Sequence, residues 1–562
     1  MPSVDHDESE SRPVKRAKTS NSNSGAGEQF ASGLLSPDST ARYAQAYKDS
    51  TPYHHSLIPQ LFQDDLVRKV REEIKANLVF TEKETDIYKV KQTGDLANLD
   101  GLEGEELSKL SHVSTLRNAL YSPEFRSFLR KVTGVGPLSG TKIDMSINNY
   151  TQGCHLLNHD DVIGTRSVSY ILYLPDPDEK WEPSYGGSLE LYPVKEAWIP
   201  VDEPSLTLPP SWDQFIMFAV QPGHSFHSVE EVVAEGKERL SISGWFHVAQ
   251  EGEEGFDPHA NESERNEQDK AKSTLEQLLS ETEDNFDTYK HAMSEAEELT
   301  PDDISVLETL MNPQYLSLRT LVQVNDKFCE DSHIQLSEIL RPDVSESLLD
   351  VLRRTDVEDG ISARKMTAHG TGTGHGWRTH GPPHRQRFMV LDGTDPDSGT
   401  NEAARKLREV QSCLASNAFR KWLSLVTSLV PTARHASVRR FRPGLDYTLA
   451  TSNQQPLIEV NLCMTPPDKV WDGGEVGGYS CFMAPHEDED AAVYKGAQDD
   501  EDDGVLLTAN ATWNEMTIVM RDPGILSFTK YVAVKAGGSR WDCAGEYTVQ
   551  PDEDAESESE NQ

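Results

Sequence analysis

His159 and Asp161 stand two residues apart in Leu157-Asn158-His159-Asp160-Asp161, and His227 follows in Ser225-Phe226-His227-Ser228-Val229. Two imidazoles and one carboxylate on one side of a metal suit non-haem Fe(II), with positions left open for a co-substrate and oxygen. Arg239 comes shortly after, and a guanidinium can clamp one carboxylate of a dicarboxylate through paired charge-assisted hydrogen bonds. His155 and His224 compete for the ligand roles. His155 has no carboxylate two residues on, and His224 sits in the turn after Pro222-Gly223, whereas His227 opens a β-rich run. On an extended strand Asp161 shares a face with His159 and Asp160 does not. A second His-x-Asp, His486-Glu487-Asp488, lies in an acidic stretch with no histidine after it.

The same alternation places Ser241 on the face of Arg239. Tyr150 and Tyr173, on neighbouring β-rich runs, are candidate hydroxyl donors to a co-substrate such as 2-oxoglutarate. Four further histidines (His369, His375, His380 and His384) fall in a Gly- and Pro-rich stretch, which reads as a loop before it reads as a metal site.

These residues need a scaffold. Leu61, Leu66, Val67, Val70, Ile74 and Leu78 have helical spacing, and a second helical pattern includes Leu116, Leu120, Phe125, Phe128 and Leu129. From Ile143 the pattern changes to short runs such as Ser167–Leu174 and Phe215–Phe218, broken by Pro and Gly. Such runs predict an antiparallel jelly-roll, or double-stranded β-helix, flanked by helices. The chain has 562 residues, too many for one core. Composition divides it into a disordered tail (1–42), a catalytic domain (43–249), an acidic helical connector (250–355), a second β-rich domain (356–550) and an acidic tail (551–562). Order is expected from about Tyr53, and Thr300-Pro301 is expected to open a helix. The overall class is mainly β with flanking helices.

With 94 acidic against 53 basic side chains, the net charge of −41 opposes binding nucleic acid through a phosphate-contacting surface. It favours basic protein partners. Six scattered cysteines without a Cys-x-x-Cys pair indicate a reducing compartment, and no apolar run reaches membrane-spanning length. Pro13-Val14-Lys15-Arg16-Ala17-Lys18 has the composition of a nuclear import signal, so nucleus and cytoplasm are the expected locations.

An internal repeat sharpens the metal assignment. Ser146–Tyr150 resembles Ser437–Phe441, Leu172-Tyr173-Leu174 resembles Leu462-Cys463-Met464, and Gly186-Gly187 matches Gly477-Gly478. Trp212-Asp213-Gln214 matches Trp513-Asn514-Glu515. In this alignment His159, Asp161 and His227 fall on Ala450, Ser452 and Thr529, while Arg239 falls on Arg540. Two tandem jelly-rolls are expected, with only the first able to hold metal.

The order His159/Asp161/His227/Arg239, the run Ser225–Val232, the upstream run Asp86–Gln92 and the paired domains resemble the eukaryotic 2-oxoglutarate-dependent ribosomal prolyl hydroxylases, which in fungi are prolyl 3,4-dihydroxylases. The resemblance spans residues 53 to 549. It implies Fe(II), 2-oxoglutarate and O2, with ascorbate as reductant, and hydroxylation of a proline in a small-subunit ribosomal protein, with an effect on translation termination. It also implies links to release factors, poly(A)-binding protein or a sterol-responsive transcription factor. The alternative is an oxygen-responsive, non-catalytic regulator that binds a transcription or release factor through its C-terminal domain.

Overall fold

A computed structural model describes residues 25–94, 96, 99, 104–257, 286–293, 297–361, 364–393, 401–484 and 504–549. The basic cluster at 13–18, the acidic stretches at 258–285 and 485–503, His486 and the final tail lie outside the described residues.

Packing is already present ahead of Tyr53, where composition placed the start of order. Ser36 caps the helix Pro37–Asp49 by accepting from the Ser39 amide, and Pro37 supplies a pre-set first turn. Ahead of it Phe30 stacks on Phe62 and Phe125 at 4.9 and 4.8 Å. The expected disordered tail of 1–42 is therefore corrected from residue 25 onward: a few apolar side chains anchor a segment whose average composition is polar. The helix Asp64–Asn77 buries Leu66, Val67, Val70 and Ile74, as its spacing predicts. The second helical pattern is two helices, Ser111–Leu120 and Pro123–Thr133, because Ser122-Pro123 caps and restarts the chain.

These helices cover one face of an antiparallel sheet. Its main run is ordered His55–Ile58, Phe215–Ala219, Arg166–Tyr173, Arg239–Val248, Leu138–Tyr150. Side chains alternate across it. Met145, Ile147, Tyr170, Leu172, Phe215, Leu240, Ile242 and Phe246 pack under the helices. The opposite face carries Tyr150, Tyr173, Ile216 and Phe218 into a separate cluster with Leu189 and Leu191. The strand Tyr88–Gln92 links this run to the short strands His155–His159, His227–Val229 and Leu189–Leu191, which close the chamber from the other side.

The second half repeats the central order, as Trp513–Arg521, Leu457–Met464, Arg540–Val549, Pro431–Phe441. A four-stranded sheet of Thr451–Ser452, Leu526–Thr529, Ser480–Met483 and Val505–Ala509 accompanies it. The expected connector of 250–355 is corrected at its C-terminal end. The helix Pro301–Leu307, opened by a Thr300/Asp303 capping box, joins Leu318–Asp331 and Pro342–Glu358 on this second sheet. Leu307, Phe328, Leu348 and Leu352 share one core with Ile458, Val460, Ile518 and Trp541. Among the described residues no helix is long and apolar enough to cross a membrane.

Candidate metal centre and co-substrate pocket

His159 ends one short strand and His227 begins the next, and the two are direct antiparallel partners. Their rings stand 4.2 Å apart between centroids. Between these strands the register shifts: Val229 faces Leu156, so three steps on one strand match two on the other. Such a bulge rotates the residues beyond it. Leu156 packs into the chamber while Leu157 packs outward, and the bulge returns His159 to the inside.

Asp161 reaches the same point by a different route from the one alternation predicts. The strand has already ended, and Asp161 adopts a left-handed backbone with φ of 64°. Its carboxylate lies 3.2 Å from His159 Nε2 and 3.4 Å from His227 Nε2, and Ser169 Oγ donates to it at 2.8 Å. The choice of Asp161 over Asp160 therefore rests on a turn and not on strand parity. Asp160 is buried and accepts from the amides of Val162 and Gly223.

The three ligand atoms lie within 4.8 Å of one another, and among the described residues no other set of His, Cys, Asp or Glu does so. Each imidazole donates from Nδ1 to a backbone carbonyl two residues back, His159 to Leu157 at 2.8 Å and His227 to Ser225 at 2.9 Å. Those bonds fix the tautomer and leave the Nε2 lone pairs facing the centre. Burial works to raise the Asp161 carboxyl, but the facing His227 and His159 rings outweigh it and hold it well below the usual carboxylate range. The donor set fits a divalent metal.

Arg239 lies deeper in the chamber and is 1% exposed. Its Nε donates to the Gly187 carbonyl at 2.6 Å and its Nη2 to the Tyr173 hydroxyl at 3.4 Å. The guanidinium carbon sits 4.7 Å over the Tyr150 ring and 4.9 Å over Tyr173. Among the described residues no carboxylate forms an ion pair with it. Burial raises the Tyr150 and Tyr173 hydroxyls despite the pull of Arg239, so both remain donors at neutral pH. Ser241, also 1% exposed, pairs across the sheet with Tyr173. The four residues expected around a co-substrate thus share one buried, positively charged floor. A buried charge without a counter-ion is costly, and a bound carboxylate removes that cost. Gly187 is required here: a Cβ would meet Arg239 Cδ at 3.0 Å and Val232 at 2.9 Å, at φ of 74°.

His155 and His224 stand elsewhere. His155 stacks on Tyr531 at 4.1 Å, and His224 is exposed. The His-rich stretch does not converge either: His369 pairs with Glu190, His380 with Gln386, and His384 lies tilted against Phe226. Sequence reading missed Ser169, which steadies Asp161, and Phe218, whose ring meets His227 edge-on at 4.9 Å. Both occur at alternate positions of β-rich runs, where periodicity marks a face but not a role.

In the second half Arg540 is equally buried, but its surroundings differ. It donates to Gly478 O at 2.7 Å and Ser480 Oγ at 2.9 Å, and it pairs with Asp542 at 2.9 Å. Asp542 occupies the position of Ser241, and Arg439 also binds it, at 2.8 Å.

Residues 145–247 match the family described as the 2OG-Fe(II) oxygenase superfamily, and residues 302–555 match the one described as oxoglutarate and iron-dependent oxygenase degradation C-term. Prolyl 3,4-dihydroxylase OGFOD1 of Ostreococcus tauri is 37% identical over 510 residues, which cover 89% of this chain and 95% of that protein. Prolyl 3-hydroxylase OGFOD1 of Mus musculus is 30% identical over 382 residues, covering 68% of this chain and 56% of that one. A solved Pseudomonas putida prolyl-4-hydroxylase aligns with 37% of this chain and 98% of its own, at 21% identity and a TM-score of 0.28. With three ligand-type side chains converging on one point and a relative matched along nearly its whole length, this chain belongs to the OGFOD1 family of Fe(II)- and 2-oxoglutarate-dependent prolyl hydroxylases.

Proposed function

We propose that His159, Asp161 and His227 hold the Fe(II), that Arg239 takes the distal carboxylate of 2-oxoglutarate with Tyr150, Tyr173 and Ser241 around it, and that the substrate is a prolyl residue of a small-subunit ribosomal protein. The observation that carries the co-substrate assignment is the unpaired Arg239 guanidinium on the floor of the metal chamber. Bound iron, 2-oxoglutarate and O2 supply an oxidative decarboxylation that yields succinate, CO2 and a hydroxylated prolyl carbon. The protein's own part is to orient and exclude. Nδ1–H bonds fix both imidazoles, Ser169 holds the carboxylate, and the tyrosines and Arg239 fix one end of the co-substrate.

The ribosomal substrate is supported by the family resemblance and by the charge of −41, which attracts a basic protein by long-range steering. Hydroxylation there would act on translation termination, with ascorbate keeping the metal reduced. Release factors, poly(A)-binding protein and a sterol-responsive transcription factor are the further partners of this reading, and nucleus and cytoplasm its locations. The test is anaerobic loading with Fe(II) and 2-oxoglutarate, then oxygen, with intact-mass analysis of small-subunit ribosomal proteins. A gain of one or two oxygen masses on one of them is expected. Succinate production with no mass gain on any of them would overturn the substrate assignment.

A further inference from the structure

The second half packs against the outer side of the short strands whose inner side carries the metal ligands. Some of its contacts lie at Glu84, Asp86 and Glu231, and others fall close to those ligands. Tyr531 stacks on His155, four residues before His159. His384 lies 5.0 Å from the Phe226 ring, immediately before His227. On the other side of His227, Ser228 Oγ donates to Glu190 Oε2 at 2.8 Å, as does Tyr192 from its hydroxyl at 2.8 Å. The remaining Glu190 oxygen accepts from His369 Nε2 at 2.8 Å. His369 is itself fixed from behind. Its carbonyl accepts from Arg442 Nη1 at 2.8 Å, and Arg442 is fully buried in a two-bond pair with Asp446.

We propose that His369 is a positioning residue for the metal centre, acting from the second half through Glu190 and Ser228 to hold the strand that aims His227. This inference rests on the ligand assignment proposed above. The physical reason lies in the strand geometry. His227 and Ser228 point to opposite faces, so the rotation of this three-residue strand about its axis sets both where Ser228 bonds and where His227 Nε2 points. A short strand has few ladder bonds to resist that rotation. The carboxylate relay supplies a charge-assisted restraint one residue from the ligand. Outer groups of this kind govern metal affinity because they set ligand direction before the metal arrives. The second half, which has no such ligand set among the described residues, thereby acts as part of the metal site.

The test uses the full chain and Co(II), read by visible absorption, with thermal unfolding measured without metal. His369→Ala is expected to weaken Co(II) binding by about tenfold or more, and His369→Gln, which keeps a donor toward Glu190, is expected to recover most of it. Ser228→Ala cuts the relay at its other end with the loss of one hydroxyl, and it should weaken binding in the same direction. His227→Ala provides the separate check: its failure to reduce binding would overturn the ligand assignment itself. Wild-type affinity in both His369→Ala and Ser228→Ala, with only a lowered melting temperature, would overturn the positioning role and leave the ligand assignment standing.

Discussion

Arg239 and Arg540 occupy matching strands, are almost equally buried, and each donates to the carbonyl of a matching glycine, Gly187 or Gly478. They differ two residues further along. Ser241 leaves Arg239 with neutral partners, whereas Asp542 closes the charge of Arg540 inside the protein. The second half has therefore lost more than three metal ligands, because its arginine no longer needs an external anion. A buried cation is a binding group only while its counter-ion is left to come from outside. Aromatic partners follow the same division: Arg239 lies over the Tyr150 and Tyr173 rings, while Arg540 lies over Phe441.

The harshest test of this contrast removes a ligand. His227→Ala is expected to reduce 2-oxoglutarate turnover to about a thousandth or less, while Ser527→Ala, at the position that the strand pairing of the second half matches to His227, leaves turnover unchanged. Comparable losses from both would end the distinction between the halves. Next in size is the arginine pair. Arg239→Met should raise the KM for 2-oxoglutarate roughly a hundredfold through the loss of charged hydrogen bonds. Arg540→Met should instead cost about 3 kcal/mol of stability by breaking a buried pair, with KM unaltered. Kinetics and denaturant unfolding on both variants separate the two roles.

A transplant sharpens the comparison further. Ser241→Asp places the second half's counter-ion beside Arg239 and should raise the KM for 2-oxoglutarate by about tenfold, each 1.4 kcal/mol of lost binding being one such factor. An unchanged KM would show that Arg239 does not bind the co-substrate. The smallest effect concerns the contact between the halves. Glu231 accepts from the Val534 amide at 2.8 Å and the Tyr531 hydroxyl at 3.3 Å. Burial pushes its carboxyl up to about 7, against the pull of those donors and of Lys535 and Lys89. A raised folded value means that its contribution is fully present below the unfolded value near ~4.3 and fades as pH rises through about 7. Glu231→Gln should accordingly unfold like wild type near pH ~4.5 and be more stable by roughly 1–3 kcal/mol above pH ~8. Equal stability at the higher pH would show that the charge is not resisted there.

The triad, its arginine and the helices under the sheet were legible because each leaves a local mark: residue type at short spacing, or a periodic apolar stripe. Long-range geometry was not. The bulge that returns His159 to the chamber appears only when Leu156 and Val229 are paired. The left-handed turn at Asp161 has no glycine to announce it, so strand alternation named the right residue for the wrong reason. Likewise residues 25–42 looked like tail because composition averages over Phe30 and Leu34, whose partners lie far along the chain. The helices from Pro301 looked like a linker until their apolar faces met the second sheet. The His-rich stretch read as a loop before a metal site, and His369 and His384 reach Glu190 and Phe226 of the first half while His380 meets Gln386 in the second.

The backbone at Asp161 also narrows which acids can serve there. A φ of 64° is tolerated by Asp and Asn more readily than by most side chains, since their short polar groups bond locally. Glutamate has the charge without that tolerance, and asparagine has the tolerance without the charge. Two independent filters, one conformational and one electrostatic, thus overlap on a single amino acid. Drift at this position has no conservative exit, even though glutamate is chemically an adequate metal ligand.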